Sequence, residues 1–208
     1  MYTPEHFEIT DRDEIAAFMT RYSFALLIDA GETAPVATHL PLLYDRERGP
    51  LGTLVGHMAK ANPQWQRFAD GRDVLVVFWG PHAYVSPSWY AGAPNVPTWN
   101  YITVHATGRP RLIDDPTAAK AMLERLVDTY EAGFETPWRM DLPPNYERGM
   151  IQAIQGFEIE ITRLEGKAKL SQNRKAEDHA GAMAGLAAQA DPEAQAIAAA
   201  MRKAGGTS

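Results

Sequence analysis

Residues 51–80 read LGTLVGHMAKANPQWQRFADGRDVLVVFWG, and this stretch decides the fold class. Leu51 to His57 is apolar and strand-like. Asn62-Pro63 opens a short helix, with Asn62 as N-cap and Pro63 at the first helical position, where its missing N–H costs nothing. Asp70-Gly71 ends that helix. Asp73 to Trp79 is a continuous apolar run, which predicts a strand buried on both faces.

Upstream, Thr10 caps a helix over about 11–21, with Asp13 and Glu14 in its first turn and Ile15, Phe18, Met19 and Tyr22 at helical spacing. Ser23 to Asp29 and Pro35 to Tyr44 form a hairpin across an Ala-Gly-Glu turn, and Asp45 to Pro50 is a charged turn. Downstream, Gly80 to Pro97 is rich in Pro, Ser and aromatics and reads as a structured loop with short extended pieces. Thr98 to Thr107 alternates and is β-branched, so it is a strand, with Gly108 to Asp114 continuing a hairpin. Pro116 to about Tyr130 is a helix whose stripe is Ala119, Met122, Leu123, Leu126 and Val127. A loop, a short helix over Asn145 to Gln155 and an alternating strand from Phe157 to Leu164 follow. Strands at short spacing with few helices between them predict a mainly β, α+β protein: a β-barrel with helices packed around it, not βαβ units.

From Arg174 the composition turns Ala-rich, which predicts weak helices joined at Asp191-Pro192 and a frayed Gly-Gly-Thr-Ser end. The expected organisation is a body over 1–173 and a helical extension over 174–208, with removal of residues 180–208 expected to leave binding and dimerisation nearly unaffected.

The chain has 208 residues, 20 Lys+Arg, 26 Asp+Glu and no cysteine. A chain of this length buries roughly 70% of its unfolded surface. Without cysteine there is no disulfide, thiolate-held metal or cysteine nucleophile, which suits a reducing cytosol. The net charge of −6 argues against a broad nucleic-acid surface. The N-terminus lacks the basic and apolar pattern of a signal peptide, and no run approaches the ~20 apolar residues of a membrane span. A cytoplasmic protein with no membrane partner is expected.

Five segments carry polar and aromatic residues where a plain barrel wants Val, Ile or Thr. They are Thr38-His39-Leu40-Pro41, Gly56-His57-Met58-Ala59-Lys60-Ala61-Asn62-Pro63, residues 80–90 (GPHAYVSPSWY), Val96 to Tyr101 (VPTWNY), and Gly166 to Asn173 (GKAKLSQN). His57 and Lys60 sit where a strand gives way to the Asn62-Pro63 helix, so both can point at its start, where a cation and aligned amides suit an anion; a solvated surface lysine is the plainer alternative. His39 is either a ligand group or a histidine paired inside the barrel. Asn100 in a β-branched run wants a polar partner, in a ligand or at a bulge. Lys167, Lys169, Ser171 and Gln172 bring charge and donors, or form a basic turn. Tyr84, Trp89 and Tyr90 wall a ligand or a subunit interface, or cover a barrel mouth. His82 and His105 have no metal-site spacing, so no metal is expected.

Together these segments resemble the PaiB-type, FMN-binding negative transcriptional regulators, relatives of split-barrel flavoproteins such as pyridoxamine-phosphate oxidase. The resemblance runs from MYTPEHF to KLSQNR, about five-sixths of the chain. It implies a six-stranded, Greek-key-like split β-barrel that dimerises, with FMN at sites on the subunit interface. By the same resemblance Lys60 with Gly56, His57 and Asn62 holds the flavin phosphate. Thr38, His39 and Leu40 lie along the isoalloxazine ring, Trp99 and Asn100 meet the flavin, and Lys167, Lys169 and Gln172 reach a flavin from the C-terminal segment. Oxidases of this fold end in a Trp- and Arg-bearing substrate loop. Here Lys-Leu-Ser-Gln-Asn stands instead, which tells against pyridoxine-phosphate oxidation.

The resemblance implies repression of genes for protease production and sporulation, with DNA or a regulatory protein as partner, although no helix-turn-helix or basic stripe is readable. The alternatives are an FMN-dependent oxidoreductase, for which only His39, His57 and Tyr101 are readable proton carriers and no catalytic set is assigned, and a haem-binding split barrel with His57 or His179 as axial ligand.

Overall fold

A computed structural model of the chain describes residues 1–205; the three residues after them, part of the expected frayed end, lie outside the described residues. It contains eight strands: β1 (Glu8–Ile9), β2 (Phe24–Asp29), β3 (Val36–Pro41), β4 (Leu43–Asp45), β5 (Thr53–Ala59), β6 (Val74–Val85), β7 (Thr98–Ile113) and β8 (Ile154–Lys169). Five α-helices accompany them: α1 (Arg12–Arg21), α2 (Pro116–Glu131), α3 (Pro144–Gln152), α4 (Ala176–Ala187) and α5 (Pro192–Gly205). The strands form one sheet in the order β3-β2-β6-β7-β8-β5-β4, with β1 added to β8. β2 pairs antiparallel with β3 and β6, and β5 with β4 and β8.

The mixed α+β class is as expected, but eight strands replace six. The expected strand over 35–44 is two strands, because Leu42 is fully buried and its N–H turns to Ser23 O at 2.9 Å. The chain thereby leaves its pairing with β2 and takes up pairing with β5. The run at Asp73 continues through Gly80-Pro81 to Val85, so the first third of the expected loop is strand. No hairpin breaks β7 at Gly108: that glycine lies inside one 16-residue strand, where neighbouring backbone leaves no room for a side chain. The Asn62-Pro63 helix starts where expected but is a 3-10 helix, Pro63–Asp70, stopped by Gly71 at φ +66°.

The chain divides into two compact units. One comprises Met1–Phe18, Trp79–His105 and the residues from Glu165 onward; the other comprises Met19–Phe78 and Ala106–Leu164. In the first unit the core gathers Ala83, Val85, Tyr90 and Leu170 with Ala182, Leu186, Ala194, Ile197, Ala198 and Met201. The Ala-rich segment therefore supplies most of that core, and its small residues have a purpose. A Cβ on Gly185 would fall 2.5 Å from Trp89 Cε2, inside the indole. The expectation that residues 180–208 are nearly dispensable does not fit this packing. In the second unit, Leu43, Val55, Met122 and Leu126 pack α2 onto β4 and β5, and Phe68 meets Phe157 edge-on at 5.3 Å. Among the described residues, no helix is long and apolar enough to cross a membrane.

Candidate functional site

The twelve residues singled out for a cofactor fall into two groups, one in each unit. In the second unit they are Thr38, His39 and Leu40 on β3, Gly56 and His57 on β5, and Lys60 and Asn62 before the 3-10 helix. The structure brings Thr38 and Asn62 together: Asn62 Nδ2 donates to Thr38 Oγ1 at 2.9 Å, and that hydroxyl donates to Gln64 Oε1. Asn62 Oδ1 also accepts from Gln64 N–H at 3.0 Å, the cap expected of it. Gln64, fully buried, donates onward to Leu27 O and Val36 O, each at 3.3 Å. This network ties the Lys60–Asn62 turn to β3, so Thr38 and Asn62 hold the turn in place.

Lys60 is pinned by its backbone and open at its tip. Its N–H donates to Ala153 O at 2.8 Å, and its carbonyl accepts from Trp65 Nε1 at 3.0 Å. No carboxylate among the described residues pairs with its ammonium. His57 Nδ1 is buried without a hydrogen-bond partner. Burial holds the imidazole below its usual range, favouring the neutral form. Gly56 is explained by packing: a Cβ there would lie 2.6 Å from Leu42 Cδ2 and 3.0 Å from Pro41 O. Leu40 is buried, while His39 is exposed and stacks on Phe24 at 6.2 Å. β3 is an edge strand hydrogen-bonded to β2, so its outer backbone groups are available to a ligand except where Gln64 takes Val36 O.

The titration of His57 carries a prediction. Its pKa is lower folded than unfolded, so the unfolded chain takes up the proton first as pH falls through about 6.5. The contribution of His57 to stability is full above that pH and is lost below it, down to the folded pKa. Melting temperatures between pH 7 and pH 5 should fall less steeply in His57→Gln; an identical slope would show that His57 does not contribute.

In the first unit, Trp99 is 52% exposed, stacks on His82 at 6.1 Å and meets Tyr84 edge-on at 6.0 Å. Asn100 faces the other way and is fully buried. Its Nδ2 donates to Ser171 Oγ at 3.0 Å and touches Met201 Sδ at 3.6 Å. Here the polar partner an in-strand Asn demands is another side chain. Ser171 holds φ +65°, a left-handed conformation that its bond to Asn100 compensates. Gln172 closes its own turn, accepting from Leu170 N–H and donating to Ala168 O. Lys167 is buried against Tyr2 and Tyr101, and Lys169 donates to Thr98 Oγ1. Sequence reasoning missed Gln64 and Arg174. Gln64 looks like any polar residue of a helix's first turn, and Arg174 like the edge of a tail.

Residues 1–163 match the model of a family described as "Putative FMN-binding domain". The chain is 36% identical over 199 residues to "Protease synthase and sporulation protein PAI 2" of Bacillus subtilis, covering 95% of each chain. It is 33% identical over 186 residues to an uncharacterized protein of Emericella nidulans, covering 72% of this chain and 74% of that one. Among solved structures it resembles the FAD and heme binding protein of Mycobacterium smegmatis, with a TM-score of 0.61, 17% identity and coverage of 84% and 79%. It also resembles the flavocytochrome Anf3 of Azotobacter vinelandii, with a TM-score of 0.60, 18% identity and coverage of 84% and 75%. These likenesses show the split-barrel flavoprotein fold.

Proposed function

The chain belongs to the FMN-binding domain family, and on that premise we propose that it is an FMN-binding regulator, working as a cytoplasmic homodimer, of the PAI 2 kind. The observation that carries the flavin reading is the Lys60 turn. An unpaired ammonium, a buried imidazole nitrogen without a partner and a capped helix start lie within one short segment. A phosphate monoester supplies the acceptors that such a set lacks. Lys60 holds the phosphate, His57 donates to it once protonated, and the outer backbone of β3 at Thr38, His39 and Leu40 meets the polar edge of the ring. FMN supplies hydride or electron transfer when bound; the chain contributes binding and orientation. Exposed aromatics support the dimer: Trp79, Tyr84 and Trp99 in one unit, Phe134, Trp138 and Tyr146 in the other. With a net charge of −6, regulation through a ligand or protein partner suits this chain at least as well as direct DNA contact.

The test is an absorption spectrum of the purified protein before and after adding FMN. Flavin bands retained through desalting are expected. A protein that stays colourless would overturn the reading. Lys60→Ala should weaken FMN binding about tenfold or more, the worth of a hydrogen bond to a charged group, while the melting temperature stays put. Unchanged affinity would remove Lys60 from the phosphate site. A promoter probe retarded by the protein, with affinity falling steeply as salt rises, would establish direct DNA contact.

A further inference from the structure

Three cations gather in the first unit, and among the described residues no carboxylate forms an ion pair with any of them. Lys167 is only 7% exposed, yet its ammonium has one hydrogen bond, to the main-chain oxygen of Tyr2 at 2.9 Å. It otherwise rests over the rings of Tyr2 and Tyr101, at 5.7 and 5.2 Å. Lys169, two residues on and so on the same face of β8, donates to the Thr98 hydroxyl. Arg174 donates to Asn95 Oδ1 at 2.8 Å and lies 4.6 Å over the Tyr90 ring. Every acceptor is neutral.

Two carboxylates of the same unit have partners of their own. Glu165 holds the Met1 ammonium at 2.7 Å, and Asp178 accepts from Ala91 N–H at 2.9 Å. Burial pushes the Lys169 ammonium below the usual lysine range, with Lys167 and Arg174 pushing the same way and Tyr101 opposing. A buried charge met only by neutral dipoles is costly, and here three like charges share one place. Beside them β7 presents Trp99 and Tyr101, two residues apart on one face, with Trp99 half exposed between His82 and Tyr84.

We propose that Lys167, Lys169 and Arg174 form a site for the carboxylate or phosphate of a second, planar aromatic ligand, whose ring lies against Trp99 and Tyr101. The assignment goes beyond the flavin reading: it gives Lys167 and Lys169 to a second ligand and leaves the FMN phosphate to the Lys60 turn. A carboxylate or phosphate would replace the weak neutral acceptors with charge-assisted bonds, and the aromatic floor would take the ring.

The experiment is calorimetric titration of the full chain with benzoate, phenyl phosphate, acetate and inorganic phosphate. At least one aromatic anion should bind more tightly than its non-aromatic counterpart, and benzoate against phenyl phosphate tells which anionic group fits. Lys169→Gln and Arg174→Gln, both surface-reaching, should each weaken that binding about tenfold or more. Their FMN affinity, read separately by absorbance, should be unchanged. Equal binding of the aromatic and simple anions would overturn the ring contact. Undiminished binding in both variants would overturn the site. A matching loss of FMN affinity in Lys169→Gln would show that the cluster serves the flavin. If the wild-type chain binds no FMN, the anion titration still decides this site by itself.

Discussion

A chain ending at Lys175 is expected to lose the fold of its first unit, not merely a tail. Truncation there removes Ala182, Leu186, Ala194, Ile197, Ala198 and Met201 from a core whose remaining buried members are Ala83, Val85, Tyr90 and Leu170. Leu186, Ile197 and Met201 are fully buried, and replacing one such side chain with alanine costs about 2–5 kcal/mol. Losing all three at once is comparable to the whole stability of a domain, about 5–15 kcal/mol. The truncation also strips Trp89 of the Gly181–Gly185 cradle and takes Met201 from the Asn100–Ser171 pair. Hydrogen exchange should show β6 beyond Trp79 and the Asn100 end of β7 unprotected in the truncated chain. Protection equal to that of the full chain would show that α4 and α5 are accessory. Leu186→Ala tests the same core more gently, with an expected loss of about 2–5 kcal/mol in denaturant melts.

Gly108→Ala should be among the most damaging single substitutions in the second unit. A Cβ at that position would overlap the main-chain oxygen of Glu160 and lie 2.8 Å from Ile159 Cγ2. Main chain cannot swing aside as a flexible side chain can, so β7 and β8 would have to part locally. Overpacking of this kind costs about 1–3 kcal/mol when side chains can yield, and more when backbone must move. We expect a loss of about 3 kcal/mol or more by chemical denaturation, and soluble expression reduced accordingly. A stability within about 0.5 kcal/mol of wild type, the range of an ordinary surface substitution, would mean that the strand pair yields freely there.

The family resemblance carried by the five segments is borne out by the matching family model and by the Bacillus subtilis relative. Those segments were legible because glycine, proline, histidine and tryptophan stand out against a β-branched background. Their roles were less so. Gly56 looks like a cofactor residue in the sequence and packs against Leu42 in the structure, since nothing local announces a neighbour fourteen residues away. Asn100 wanted a polar partner, which the sequence shows, but that partner is Ser171, seventy-one residues on.

What the sequence determined by itself is what depends on near neighbours. The start of the 3-10 helix at Asn62-Pro63 and of α2 at Asp115-Pro116 follow from capping chemistry within three residues, and both stand where read. The apolar stripe of α2 is likewise local, since 3.6-residue periodicity is written in a single turn or two. Tertiary structure alone decided that Thr38, Asn62 and Gln64 close one network. It also decided that an Ala-rich tail is core, and that Lys167, Lys169 and Arg174 meet without a carboxylate. Alanine reads as weakly apolar wherever it stands. Whether it is buried depends on the partner surface, here β6, the Trp89 turn and Leu170, that chain folding brings to it from far along the sequence.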